Sequence, residues 1–226
     1  MVSDNLKNVT QRISRCCEKS GRRPEDISLV CVTKEVTADT ARQVLDLGVR
    51  DLGENRVQNA AEKYEVIGDK ANWHLIGHLQ TNKVRDAVRI FSLIHSVDSG
   101  NLARVIDKES GKIGKIQDVL AQVNVAGEET KFGVSPEGLK GLISEIAKCK
   151  NINLRGLMTI APLVDNPEKA RPYFRILREL RDSINDKRYT INDIRHLSMG
   201  MTDDFEVAIE EGSTIVRIGR AIFGSR

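Results

Sequence analysis

The sequence has no apolar run near the roughly 20 residues that span a bilayer. Its opening, MVSDNLKNVTQR, lacks the apolar core of a signal peptide. A cytoplasmic protein that crosses no membrane is the expectation. Cysteine is scarce: Cys16, Cys17, Cys31 and Cys149 show no CxxC spacing, are too few for a disulfide framework, and read as reduced packing residues. An excess of one charge is also missing. The 35 lysines and arginines against 32 acidic residues leave +3, spread along the chain and not gathered in a basic arm, which argues against nucleic acid as a partner. His74, His78, His95 and His196 have neither HxH nor HExxH spacing, so no metal is assigned. His74 and His78 share a strand face but stand too far apart for a compact metal site. His78 reads either as a residue of a binding mouth or as a hydrogen-bonded structural histidine. The five prolines are scattered, and no low-complexity tract or composition shift marks a linker. One domain over 1–226 is expected.

What is present is an alternation. Leu6, Val9, Ile13 and Cys16 recur at steps of three and four, the apolar stripe of a helix standing before the first strand. Short apolar runs then follow at 27–34, 50–55, 73–78, 92–98, 118–125, 154–160, 194–200 and 214–218. Helical patterns lie between them, clearest at 41–47, 139–147 and 170–184, and capping residues such as Thr37, Ser99, Ser135 and Asn166 open the helices. Eight β units alternating with α units predict a parallel sheet. With short connections and 226 residues, the sheet closes into a (β/α)8 TIM-type barrel with an extra N-terminal helix; an open doubly wound sheet shares the same pattern.

Barrel chemistry sits at the C-terminal ends of the strands. Lys34 closes a run of apolar residues, Leu29 to Val32, and an amine desolvated there attacks aldehydes. Position alone fits equally a lysine that reaches to solvent. Ser198-Met199-Gly200-Met201-Thr202 ends the seventh run and leads into a helix expected to begin at Thr202, and Gly219-Arg220 follows the eighth. Barrels commonly bind phosphate in these two loops, through backbone N–H groups and a hydroxyl such as that of Ser198. The same glycines would equally serve plain turns. Arg217, inside an apolar run, needs a partner: Glu54, Asp98, or the ring nitrogen of a bound pyridine. Tyr64, Tyr173 and Tyr189 fall in or beside helices, so none reads as a second catalytic base.

The order and spacing of several blocks resemble a known family. They are Val32-Thr33-Lys34, Gly53-Glu54-Asn55-Arg56, Trp73 through Lys83, Leu93 through Asp98, Lys131-Phe132-Gly133, Gly156-Leu157-Met158, Leu197 through Met201 with Asp204-Phe205, and Val216 through Gly219. The family is that of the pyridoxal phosphate homeostasis proteins, also called proline synthase co-transcribed proteins, related to the barrel domain of alanine racemase. The resemblance implies that pyridoxal 5′-phosphate is held as an internal aldimine on Lys34. It also places Asn55 near the ring, Arg217 at the pyridine nitrogen, and Ser198, Gly200 and Gly219 at the phosphate. Thr202 and Arg220 depart from the family's usual serine and small hydroxyl residue. A hydroxyl contact is thus lost at Arg220, whose backbone amide remains and whose side chain could add charge near the phosphate.

The function implied is intracellular cofactor (vitamin B6) homeostasis without catalysis, in a monomer whose partners are pyridoxal phosphate and the apoenzymes that use it. Two alternatives stand beside it. An amino-acid racemase needs a base on each face of the α-carbon, and the racemase relatives carry one on a second domain expected to be absent here, leaving Lys34 alone. A Schiff-base aldolase acting on a phosphorylated sugar would need Glu54 or His78 as partner and leaves Arg217 without a task.

Overall fold

The computed structural model describes residues 1–186 and 194–224; Tyr189 lies outside them. Helix α1 (Val2–Lys19) precedes an alternating series: β1 (Ser28–Val32), α2 (Ala38–Asp46), β2 (Asp51–Glu54), α3 (Val57–Ile67), β3 (Asn72–Leu75), α4 (Val84–Ile90) and β4 (Leu93–Val97). It continues through α5 (Gly100–Lys112), β5 (Gln117–Gln122), α6 (Leu139–Ile146), β6 (Ile152–Met158), α7 (Arg171–Asp186), β7 (His196–Ser198), α8 (Phe205–Glu210), β8 (Ile215–Ile218) and α9 (Arg220–Phe223). The strands form a closed barrel in sequence order, and β1 pairs in parallel with β8 from Ser28↔Ile215 to Cys31↔Ile218. Closure decides between the two topologies that the alternation alone left open.

Two apolar layers follow from strand alternation. Outward residues such as Cys31, Leu52, Trp73, Ile94, Leu197 and Val216 join the helices in one continuous core, while Val30, Leu93, Leu120, Met158 and Ile215 fill the barrel interior. Helix α1 lays Leu6, Val9, Ile13, Cys16 and Cys17 onto the outer layer, and its Arg12 forks onto the Glu206 carboxylate of α8. Thr37 and Ser99 cap α2 and α5 as expected from sequence. Asn166 caps a 3-10 turn ahead of α7, and the Ser135 hydroxyl accepts from Gly138 N–H in the turn before α6.

The helix expected to open at Thr202 starts instead at Phe205. The Asp204 carboxylate accepts from Met201 N–H at 2.6 Å, so residues 201–204 close as a turn and the helix begins after it. Just past α8, Glu211 is buried beneath three guanidinium groups of α7: Arg171 at 3.2 Å, Arg175 at 3.1 Å and Arg178 at 2.9 Å. Burial alone would raise the Glu211 carboxyl. Hydrogen bonds from Arg175 and Arg171 and the charge of Arg178 outweigh it and hold the group below its ordinary value of 4.5. This knot ties α7 to α8 and so braces the loop that links β7 to α8.

Glu211→Gln should lower stability at pH 7 by about 1.5–3 kcal/mol, the worth of hydrogen bonds to a charged group. A carboxyl with a depressed folded value stabilises above its unfolded value and loses that contribution as pH falls through the folded one. The gap between wild type and variant in urea midpoints is therefore full above about pH 4.5 and closes below it; a gap that persists into strong acid would contradict the ionic account.

Candidate functional site

The β1 ladder ends at Val32, and Thr33-Lys34 turns over the C-terminal rim. A buried ion pair fixes that turn. Lys63 of α3 donates its ammonium to the Thr33 carbonyl and to Glu54 Oε1, and the Thr33 hydroxyl donates to the same carboxylate oxygen at 2.6 Å. Glu54 has no solvent exposure, and its Oε2 has no hydrogen-bond partner. The peptide that carries Lys34 is therefore anchored from beneath, between the barrel and α3. The Lys34 side chain itself is 47% exposed, with Nζ 3.7 Å from Glu35 Oε1. The desolvation that the apolar run implied for this amine is absent, because the residue stands two positions beyond the ladder, on the rim.

Lys34, Glu35, Gly219 and Arg220, with Val32, Val36 and Phe223 among others, line one small cavity. Lys34 and the loop after β8 are thus brought together. A Cβ on Gly219 would lie 3.1 Å from the Val32 carbonyl, so the loop follows β1 closely only without one. Gly200, at φ +91°, stands at the end of β7, where a Cβ would meet the Ala208 methyl at 2.6 Å. At both glycines the place of a Cβ is taken by neighbouring chain, α8 at Gly200 and Val32 at Gly219, so the two loops pack closely onto the barrel. The Arg220 guanidinium pairs with Asp203, joining these two loops. Asn55 sits at the end of β2 with Gly77 packed on its backbone so tightly that a Cβ would come within 2.2 Å of the Asn55 carbonyl.

A second depression of about 420 Å³ adjoins the rim, lined by Lys131, Leu163, Asp165, Met201, Asp203 and Asp204 among others. Its three carboxylates oppose a dianion.

Arg217 faces the barrel interior, alternating with outward Val216 and Ile218. It meets neither Glu54 nor Asp98: Glu54 is turned outward to α3, and Asp98 stands 3.5 Å from His78 Nδ1. Its Nη1 donates to the Ser198 hydroxyl at 2.6 Å and its Nη2 to the Thr159 carbonyl at 2.9 Å. Complete burial pushes its pKa down to about 10, so it remains cationic at neutral pH. The Ser198 hydroxyl is also 2.9 Å from His95 Nδ1, which turns it toward the barrel interior. Burial pushes Asp204 up, offset in part by the Met201 N–H and the charge of Arg217. His78 lies at the rim, stacked on Phe132 with centroids 3.8 Å apart.

His95 was not selected from sequence. Strand parity alone sets Leu93 and His95 on one face; that this face meets Arg217 depends on closure of the barrel across five strands. Tyr64 donates to Asp69 Oδ1 outside the barrel, away from Lys34.

The sequence pattern of the alanine racemase N-terminal domain matches residues 5–226. The pyridoxal phosphate homeostasis protein of Aquifex aeolicus is 49% identical over 99% of this chain and 97% of that protein. The solved structure of PipY from Synechococcus elongatus with PLP bound superposes at TM-score 0.85, with 30% identity over 99% of this chain and all of that one. Alanine racemase of Clostridium difficile shares the fold at TM-score 0.78 and 18% identity; the match covers 99% of this chain and 60% of the racemase.

The buried pair beneath Lys34 has a thermodynamic signature. Lys63→Met leaves the Glu54 carboxylate buried without a cation and should cost about 3–5 kcal/mol. Lys63→Met combined with Glu54→Leu should recover most of that loss. Urea denaturation of the two variants checks it; a double variant no more stable than the single would show that the pair does not act as a unit.

Proposed function

The chain belongs to the pyridoxal phosphate homeostasis proteins, a family built on the alanine racemase N-terminal domain, and on that premise we propose that its barrel mouth holds pyridoxal 5′-phosphate without catalysing a reaction on it. Pyridoxal phosphate brings an aldehyde that condenses with a primary amine, releasing water, and a pyridine ring that accepts electrons. The observation that carries the reading is the shared cavity of Lys34 and the Gly219-Arg220 loop, with Arg217 on the inner face of the strand just before that loop.

Each residue has a task that its place supports. Lys34 supplies the amine, on a peptide anchored by Lys63 and Glu54. The backbone at Gly200, Gly219 and Arg220 takes the phosphate, through N–H groups of the two loops that follow β7 and β8. Ser198 acts chiefly through Arg217, to which its hydroxyl is bonded. Arg217 offers its remaining N–H groups to the ring nitrogen, and Asn55 borders the ring. The Arg220 side chain holds the two loops together through Asp203 and reaches the phosphate only if that pair opens.

The non-catalytic part rests on a chemical requirement. Racemisation calls for a base on each face of the substrate carbon, and among the described residues Lys34 is the one amine that lines the small cavity beside the Gly219-Arg220 loop. Tyr64, a residue type able to serve as the second base, is engaged with Asp69 elsewhere. A protein that holds the cofactor on an exposed rim can also release it. Apoenzymes that need pyridoxal phosphate are the partners this implies, with residues 1–226 working as one unit.

Titration with pyridoxal phosphate, followed by visible absorption, tests the assignment. Wild type should develop a band from the covalent linkage. Lys34→Ala should lack it yet still bind the cofactor reversibly, in competition with inorganic phosphate, because the two anchors are separate. Loss of phosphate-competed binding in Lys34→Ala would overturn the loop assignment. Exchange of the α-proton of added amino acids into deuterated water by wild type would overturn the non-catalytic reading.

A further inference from the structure

The contact between Arg217 and Ser198 is the upper end of a longer chain. Beyond Ser198, His95 Nδ1 lies 2.9 Å from the hydroxyl, His95 Nε2 lies 3.0 Å from His74 Nδ1, and His74 Nε2 lies 3.2 Å from Asp51 Oδ1. Five side chains from β8, β7, β4, β3 and β2 thus cross the barrel interior, from the rim at Arg217 to the first residue of β2. Asn72 also donates to Asp51 Oδ1, at 3.0 Å.

The ends give the chain a direction. A guanidinium only donates and a carboxylate only accepts. Ser198 Oγ receives the Arg217 N–H, so its own hydrogen is free to go to His95 Nδ1. Burial holds His95 well below the ordinary imidazole range, seconded by the nearby His74 and Arg217, so the ring carries one hydrogen. With that hydrogen on Nε2, it passes to His74 Nδ1, and His74 Nε2–H passes to Asp51. Every group then has a partner. The opposite direction puts a hydrogen on His95 Nδ1 and strands the Ser198 hydroxyl hydrogen at a site with no solvent exposure.

We propose that His95, His74 and Asp51 are positioning residues for Arg217: they hold the Ser198 lone pair against the guanidinium and so fix which of its N–H groups face the bound pyridine ring. This rests on the pyridoxal phosphate site proposed above. The Thr159 carbonyl supplies the second fixed point, and two acceptors, one on β7 and one just past β6, lock a planar guanidinium against rotation. Without the chain, the Ser198 hydroxyl can rotate and the guanidinium keeps a single rigid acceptor. The carboxylate of Asp51 also polarises each link, adding to the strength of the next.

Two readouts test this. The first is ¹⁵N NMR of the imidazole rings in cofactor-free protein. His95 should be neutral, with its hydrogen on Nε2, and His74 should carry hydrogen on the nitrogen facing Asp51. Addition of pyridoxal phosphate should shift both rings. His196 should stay in place, since its Nδ1 faces Thr214 and it stands outside the chain. The second is pyridoxal phosphate affinity and the visible band in two variants. His95→Phe breaks the chain and should weaken binding about tenfold, as loss of a supporting hydrogen bond to a ligating group does. Asp51→Asn keeps the acceptor at a partly exposed position, removes the charge, and should move the band and weaken binding by a smaller factor.

A His95 hydrogen on Nδ1, or a His74 signal and an Asp51→Asn band both indifferent to the cofactor while wild type binds normally, would overturn the proposal and leave the cofactor site standing. Failure of wild type to take up pyridoxal phosphate would overturn both.

Discussion

Arg217 sets a permanent positive charge inside a barrel otherwise filled by Val30, Leu93, Leu120, Met158 and Ile215. A buried guanidinium is tolerated only where its hydrogens are taken, and the polar residues of the interior are arranged around that demand. Ser198 and Thr159 receive it directly, and the charge of Asp204 favours its cationic form. The inward positions of β3 and β4 would be filled by aliphatic side chains in an ordinary barrel. Here they carry His74 and His95. The chain from Arg217 to Asp51 is hydrogen-bonded at every link, with Arg217 as the end nearest the mouth.

Around that fixed point the rim divides by charge and by backbone. On one side, Lys34 and the Gly219-Arg220 loop enclose a small cavity; on the other, Asp165, Asp203 and Asp204 border the larger depression. Rigidity comes from outside the barrel. The Lys63–Glu54 pair clamps the turn that carries Lys34, just past β1, and the three arginines of α7 on Glu211 brace the helix behind Gly200. Both braces lie on outward faces, so neither competes with the mouth for space or for hydrogen-bonding groups.

All eight strands were legible in the sequence, because a parallel barrel buries both faces and leaves continuous apolar runs. The ladders are shorter than those runs. Lys34, Asn55, His78, Asp98 and Gly200 each fall one to three residues past the end of a strand, at the C-terminal rim. The same fact put Lys34 on the rim and not in the desolvated core that its apolar neighbours suggested. The late start of α8 turned on one side chain, Asp204 folding back on Met201 N–H, a tertiary detail that capping preferences do not reveal. The histidine chain was hidden for a different reason. Spacing within a strand compared His74 with His78, whereas its partner, His95, lies on the neighbouring strand, and the link onward to Arg217 exists only because β8 closes against β1.

The central claim is that Lys34, and no other amine of the chain, bonds covalently to pyridoxal phosphate. Borohydride reduction of the cofactor-loaded protein, followed by proteolysis and peptide mass mapping, tests it directly. The account predicts loss of the visible band and a pyridoxyl mass confined to the peptide carrying Lys34. A label on Lys63, Lys131 or scattered surface lysines with Lys34 unmodified would contradict it.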